Sequence, residues 1–217
     1  MTFSIFKDKL LKLLTEFDYR RRFICLTQMV FYLPSLFLRY VVVRGDVRCS
    51  LILHAPTKMK TRYVMYANHQ SVLDPFIICA CLPYRIFLTL LPIRFFTANK
   101  YLANPLLGIF FRTLGCFPAY FINNRLYGLD KAKSILEKNQ TAFIFPTGMR
   151  TRENFAKSGI SVLARAPNVC LIPVYINWKN RLSCQVRIGS AFTCDKPAIP
   201  KQIMEVVYAL EEKRGGN

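Results

Sequence analysis

Residues 63–75 read Tyr63-Val64-Met65-Tyr66-Ala67-Asn68-His69-Gln70-Ser71-Val72-Leu73-Asp74-Pro75. Five residues suited to a strand run into a polar turn, and the turn runs into an Asp-Pro pair. A short apolar run bounded by turn residues predicts a buried strand. Asp74-Pro75 predicts a helix start, with aspartate as N-cap and proline at the first helical position. A second junction of the same kind follows, Phe143-Ile144-Phe145 into Pro146-Thr147-Gly148-Met149-Arg150. In α/β sheets ligands gather at the carboxyl ends of strands, so both turns are candidate site positions.

Working outward, further strands are predicted at Ile93 to Thr97, Val169 to Ile176 and Gln185 to Ile188, beside Tyr63 to Ala67 and Ala142 to Phe145. Helices are predicted at Pro75 to Leu82, Asn104 to Thr113, Leu129 to Lys138, Phe155 to Ala164 and Lys201 to Lys213. The alternation predicts an α/β fold, a mixed sheet flanked by helices, over residues 41–217. Residues 1–40 are read as membrane-anchoring helices. Phe3, Phe6, Leu10, Leu13 and Phe17 share one helical face, a pattern that fits an interfacial helix and equally a helix packed on its own domain. After Arg20-Arg21-Arg22 the chain runs apolar for 16 residues, Phe23 to Leu38. A membrane span needs about 20 residues, so an embedded or re-entrant helix is expected in place of a crossing.

With 31 Lys and Arg against 12 Asp and Glu, the chain of 217 residues carries a net charge of +19. That charge predicts a polyanionic partner. The 53% hydrophobic content and 18 phenylalanines favour an anionic membrane, and no nucleic acid is expected. The eight cysteines form no C-x-x-C pair and only His54 and His69 could join them, so no metal site is expected. No cleavable signal peptide is read. The cysteines are expected to be reduced, buried small hydrophobes, which points to the cytoplasmic face of a membrane.

His69 and Asp74 are the candidate chemistry. Imidazole titrates near neutrality and suits proton transfer. A helical step of five separates two side chains by about 140°, so these two meet only if His69 lies in the turn ahead of the helix. Both residues fit a structural role at a helix start as well.

Asn68-His69-Gln70-Ser71-Val72-Leu73-Asp74 resembles the H-x-x-x-x-D block of the glycerolipid acyltransferases, the family that includes the 1-acylglycerol-3-phosphate acyltransferases. Ala98-Asn99-Lys100-Tyr101-Leu102, with Pro105 to Gly108 and Leu114 to Pro118, resembles the family's second region. Phe145 to Arg150 resembles its F-P-E-G-T-R block. Phe155 to Gly159, Leu171 to Tyr175 and Arg187 to Gly189 resemble its closing segments. The resemblance covers residues 41–190 and implies direct acyl transfer, with His69 as base and Asp74 orienting it. It also implies an acyl-CoA or acyl carrier protein donor, a lysolipid acceptor, no cofactor, and an apolar tunnel for the acyl chain. The substrate-binding positions it implies are Lys100, Pro146, Thr147, Gly148 and Arg150.

The departures bear on the acceptor. Thr147 and Met149 replace the family's glutamate and threonine, and Phe121 stands where an arginine usually closes the second region. Phenylalanine cannot mimic the bidentate fork with which arginine holds phosphate. If residues 121–125 are helical, Arg125 lies about one turn on and substitutes for it; otherwise Arg125 is a solvated surface charge. Three functions remain: a lysophosphatidate acyltransferase, an acyltransferase for another lysolipid such as lyso-ornithine lipid, and a non-catalytic basic membrane- or nucleic-acid-binding protein.

Overall fold

Uninterrupted apolar runs such as Val64 to Ala67 and Leu171 to Ile176 suit strands covered on both faces, and they form the centre of a largely parallel sheet. The computed structural model describes residues 21–43, 47–51, 61–119, 121–122, 125–148, 156–180, 183–194 and 199–212. In chain order the elements begin with α1 (Arg21–Val43), β1 (Val47–Cys49), β2 (Arg62–Ala67), α2 (Asp74–Cys81), α3 (Tyr84–Leu90), β3 (Ile93–Ala98), α4 (Asn99–Leu102), α5 (Pro105–Thr113) and β4 (Phe117–Ala119). There follow β5 (Phe121–Ile122), β6 (Arg125–Leu126), α6 (Tyr127–Glu137), β7 (Thr141–Ile144), α7 (Gly159–Ala164), β8 (Val169–Asn180), β9 (Ser183–Ile188) and α8 (Pro200–Glu212). The seven-stranded sheet has the order β1-β9-β8-β2-β7-β3-β4. Among the described strands of this sheet only β8 and β9 pair antiparallel, so the sheet is mixed.

Strand alternation divides the core. Met65, Ala67, Phe143, Ile172 and Val174 point to one face, where α1, α2 and α3 pack through Tyr32, Ile77, Ile78, Phe87 and Leu90. Val64, Tyr66, Ala142, Ile144 and Leu171 point to the other, covered by α6, α7 and α8 through Ile135, Leu136, Ile160, Leu163, Ile203 and Val207. Helices therefore flank the sheet on both faces, the expected α/β arrangement.

Helix α1 differs from an ordinary surface helix in carrying apolar side chains on its outer face as well as its inner one, where Ile24, Tyr32, Val42 and Val43 are buried. Its buried positions include Gln28 and Ser35, whereas Leu26, Val30, Leu33 and Phe37 are exposed, the last two by 69% and 72%. The side-chain amide of Gln28 donates to the carbonyls of Ile93 and Leu114 and accepts from the N–H of Ile93. Tyr32 donates to the Leu82 carbonyl at 3.0 Å and Arg39 to that of Ala80 at 3.1 Å. Among the described residues, α1 is the one helix long and apolar enough to cross a membrane. Its polar side chains nevertheless hold it against the domain from Gln28 to Arg39, and it runs through the expected boundary at residue 40.

Several expectations are corrected. Asp74 is the first residue of α2, not its cap; the N-cap is Leu73 in helical conformation, with no side-chain cap. The expected helix from Phe155 begins at Gly159, because residues 156–158 are not helical and Phe155 lies outside the described residues. Residues 121–122 and 125–126 are not helical either: β5 and β6 pair antiparallel, Phe121 opposite Leu126 and Ile122 opposite Arg125, so Arg125 does not stand one helical turn from Phe121. Helix α3 and strands β1 and β4 had no counterpart in the sequence reading. The amphipathic stretch Phe3 to Phe17 lies outside the described residues.

Helix α5 starts on a clear local signal. Asn104 accepts from the N–H groups of Leu106 and Leu107, and Pro105 follows at the first helical position. Gly108 then lets α5 cross α4 closely, since a Cβ there would collide with the carbonyl oxygen of Leu102. Gly108→Ala is expected to destabilise the fold by about 1–3 kcal/mol through overpacking, read as a lower midpoint in chemical denaturation.

Candidate active site

The β2 ladder continues past its last backbone pair by means of side chains. Beyond Ala67, paired with Val174, the amide of Asn68 donates to the Ile176 carbonyl at 2.7 Å and accepts from the Ile176 N–H at 2.8 Å. Two residues on, Gln70 accepts from the Trp178 N–H at 2.9 Å. Alternate residues of the turn are thus stapled to β8, and His69 between them is turned away from that strand.

Its imidazole meets Asp74. His69 Nδ1 lies 2.9 Å from Asp74 Oδ2, and the side chains are 17% and 0% exposed. The same Oδ2 accepts from the N–H groups of Gln70 at 2.7 Å and Ser71 at 2.8 Å, while Oδ1 accepts from Trp178 Nε1–H at 2.7 Å. A buried carboxylate is costly unless paired and hydrogen-bonded, and this one has donors on both oxygens. The far face of the ring stacks on Phe145 at the end of β7, with centroids 4.0 Å apart and planes 23° apart. With Nδ1 donating to the carboxylate, Nε2 is left as a proton acceptor; it has no hydrogen bond among the described residues.

The imidazole lines a cavity of about 740 Å³ that straddles the carboxyl edge of the sheet. One side is walled by Phe31, Tyr32 and Phe87 of α1 and α3, the other by Leu129, Ile160 and Leu163 of α6 and α7. The size lies within the range of about 300–1,000 Å³ typical of small-molecule sites, and the wall is mainly apolar. Cys79 and Cys116 also line it, their thiols pushed up to about 12 and about 11, in each case first by burial. Protonated thiols are poor nucleophiles, which sets these two cysteines aside as attacking groups.

The two junctions do converge: Pro146 and Gly148 line the same cavity as His69. Gly148 adopts φ +69°, the left-handed region that glycine enters freely, and Lys157 Nζ stands beside it. Thr147 differs from expectation, being 5% exposed and outside the lining, because the turn rotates it into the interior. Lys100 is exposed and also outside the lining; its ammonium lies 5.1 Å from the ring centre of Tyr101, which does line the cavity. Arg125 contributes backbone to β6, and Arg150 lies outside the described residues. Sequence reasoning assigned no role to Lys157, the one lysine or arginine among the described lining residues, nor to Gln70 and Trp178. The alternating amides around His69 were the available signal for the staple. Among the described residues no cluster of three or more His, Cys, Asp and Glu side chains is placed to hold a metal ion.

A helix-flanked mixed sheet carrying a histidine-carboxylate pair beside an apolar cavity defines an α/β protein equipped for proton transfer. Residues 46–177 match the Acyltransferase family, and the protein belongs to it. The fold resembles that of PlsC, the 1-acyl-sn-glycerophosphate (LPA) acyltransferase of Thermotoga maritima, with a TM-score of 0.58 at 18% identity, covering 98% of this chain and 91% of that one. A search of curated proteins found no match.

The staple makes a prediction. Asn68→Ala leaves a buried N–H and carbonyl of Ile176 without these partners and is expected to cost about 1–3 kcal/mol in urea denaturation.

Proposed function

We propose that the protein moves a fatty acyl group from acyl-CoA or acyl carrier protein to the hydroxyl of a lysolipid, with 1-acyl-glycerol-3-phosphate the leading acceptor, in phospholipid synthesis. One observation carries this reading: an imidazole fixed by a buried carboxylate faces a large apolar cavity in a chain of the Acyltransferase family. His69 Nε2 takes the proton of the acceptor hydroxyl as its oxygen attacks the thioester carbonyl. The C–S bond then breaks, and the departing thiolate takes the proton back from the imidazolium. Asp74 holds the tautomer and stabilises the imidazolium charge. The cavity houses the acyl chain. On this reading Cys79 and Cys116, protonated by burial, take no acyl group.

The acceptor's anionic group is assigned to Lys157, whose Nζ stands beside Gly148 in the turn with Pro146 and Thr147, and, on the family resemblance, to Arg150, with Lys100 and Arg125 as further candidate contacts. Arg94 and Arg112 are excluded from this task because both are buried and donate to the carbonyls of Gly115 and Leu102. Phe121 and Thr147, where the family has arginine and glutamate, favour a second reading in which the acceptor lacks a terminal phosphate, as a lyso-ornithine lipid does.

The membrane reading rests on the apolar outer face of α1. Leu26, Val30, Leu33 and Phe37 of α1 and Leu106 and Ile109 of α5 are exposed, Leu106 by 81%, and Phe31 and Phe110 bring the two helices together with ring centroids 5.2 Å apart. We assign this apolar surface to the cytoplasmic leaflet, with residues 1–40 as anchor, residues 41–217 as catalytic domain and the +19 charge drawn to anionic headgroups.

Purified protein offered labelled acyl-CoA or acyl carrier protein with a panel of lysolipids tests the reaction. Transfer to lysophosphatidate supports the leading acceptor; transfer only to lyso-ornithine lipid selects the second; transfer to none contradicts both. His69→Ala is expected to lower turnover by about 10²–10⁴-fold with the fold intact. Leu33→Asp with Phe37→Asp is expected to reduce flotation with phosphatidylglycerol vesicles, and unchanged flotation would remove this face from the membrane contact.

A further inference from the structure

Asp74 reaches beyond its own turn to the neighbouring strand β8. Of its two oxygens, Oδ2 serves His69 and the two N–H groups of the turn, whereas Oδ1 accepts from the indole Nε1–H of Trp178. Trp178 is the single tryptophan of the sequence. It stands where β8 loses register with β9, between Trp178 and Asn180, and its own N–H is held by Gln70. The register shift falls where a strand must present its side chain to the neighbouring turn, a common use of such irregularities.

We infer that Trp178 is a positioning residue for His69, acting through Asp74. This rests on the proposed acyl transfer. An indole N–H is a donor only, so the bond has one sense and favours the ionised carboxylate. It fixes the rotation of the carboxylate about its bond to Cβ and draws part of its charge toward Oδ1. Without it, Oδ1 is a buried oxygen with no donor among the described residues, the carboxylate is anchored through Oδ2 alone, and its undivided charge holds the imidazolium more tightly. A base that releases its proton less readily and points less uniformly turns over more slowly. Neither effect touches the acyl chain or the acceptor, so the change belongs in kcat and not in KM.

Trp178→Phe keeps the ring and removes the donor. With acyl-CoA and the acceptor used by the wild type, kcat is expected to fall about 10-fold, each KM to stay within about twofold, and the acid limb of the pH–rate profile to move to higher pH. An unchanged acid limb, or a raised KM with kcat preserved, would overturn the inference. Should the variant not fold, the wild type decides. Its one indole N–H gives one cross-peak in a ¹⁵N–¹H spectrum. That peak is expected to be protected from solvent exchange and to shift with pH at the midpoint of the acid limb, or of imidazole protonation observed directly. A rapidly exchanging or pH-independent peak would contradict the assignment. The spectrum requires no turnover, so failure of acyl transfer and failure of this contact are distinguishable.

Discussion

The carboxylate of Asp74 is the constraint on which the site depends. It is fully buried and would be costly without partners, yet it gathers a ring nitrogen, two turn amides and an indole around two oxygens. Those donors come from the turn after β2 and from the far end of β8, so satisfying one charge ties together two strand ends and the helix that begins at Asp74. Hydrogen bonds to an ionised group are worth about 1.5–3 kcal/mol each, enough that the turn has little freedom to adopt another shape. The imidazole is then held from three directions: by the carboxylate at Nδ1, by Phe145 on its face, and by the Asn68 and Gln70 staples on either side along the chain.

The helix at the start of the described chain joins this site to its surroundings. One face of α1 lines the cavity through Gln28, Phe31, Tyr32 and Ser35, and the opposite face exposes Leu26, Val30, Leu33 and Phe37. A single helix therefore separates the cavity from the apolar outer surface. The polar groups that a soluble helix would turn to water are used inward, on carbonyls of Ile93, Leu114, Leu82 and Ala80. Placing α1 in a leaflet satisfies both faces, and a chain held in the cavity would then lie one helix diameter, about 10–12 Å, from lipid.

Much of the centre of the fold was legible in the sequence because buried parallel strands leave continuous apolar runs: β2, β3, β7 and β8 fall where those runs stand. Short edge strands such as β1, three residues long with part of its surface exposed, leave no such trace. Asp74-Pro75 has the composition of a capped helix start, but the Asp74 carboxylate turns back on His69, Gln70 and Ser71 of the preceding turn and reaches Trp178 on β8, and only that last contact lies far along the chain. For the same reason His69 and Asp74 were legible as a pair while Trp178, far along the chain, was not. Thr147 was misplaced because a turn's sequence does not say which of its side chains faces inward.

In the proposed reaction His69, fixed by Asp74, lets the acceptor hydroxyl attack the donor thioester directly. A single-turnover reaction quenched on the millisecond scale tests it, with enzyme in excess over acyl-labelled donor and with acceptor present. Label is expected to pass from thioester to lipid with none retained on the protein at any time. Label appearing first on the protein and then on the lipid would contradict it.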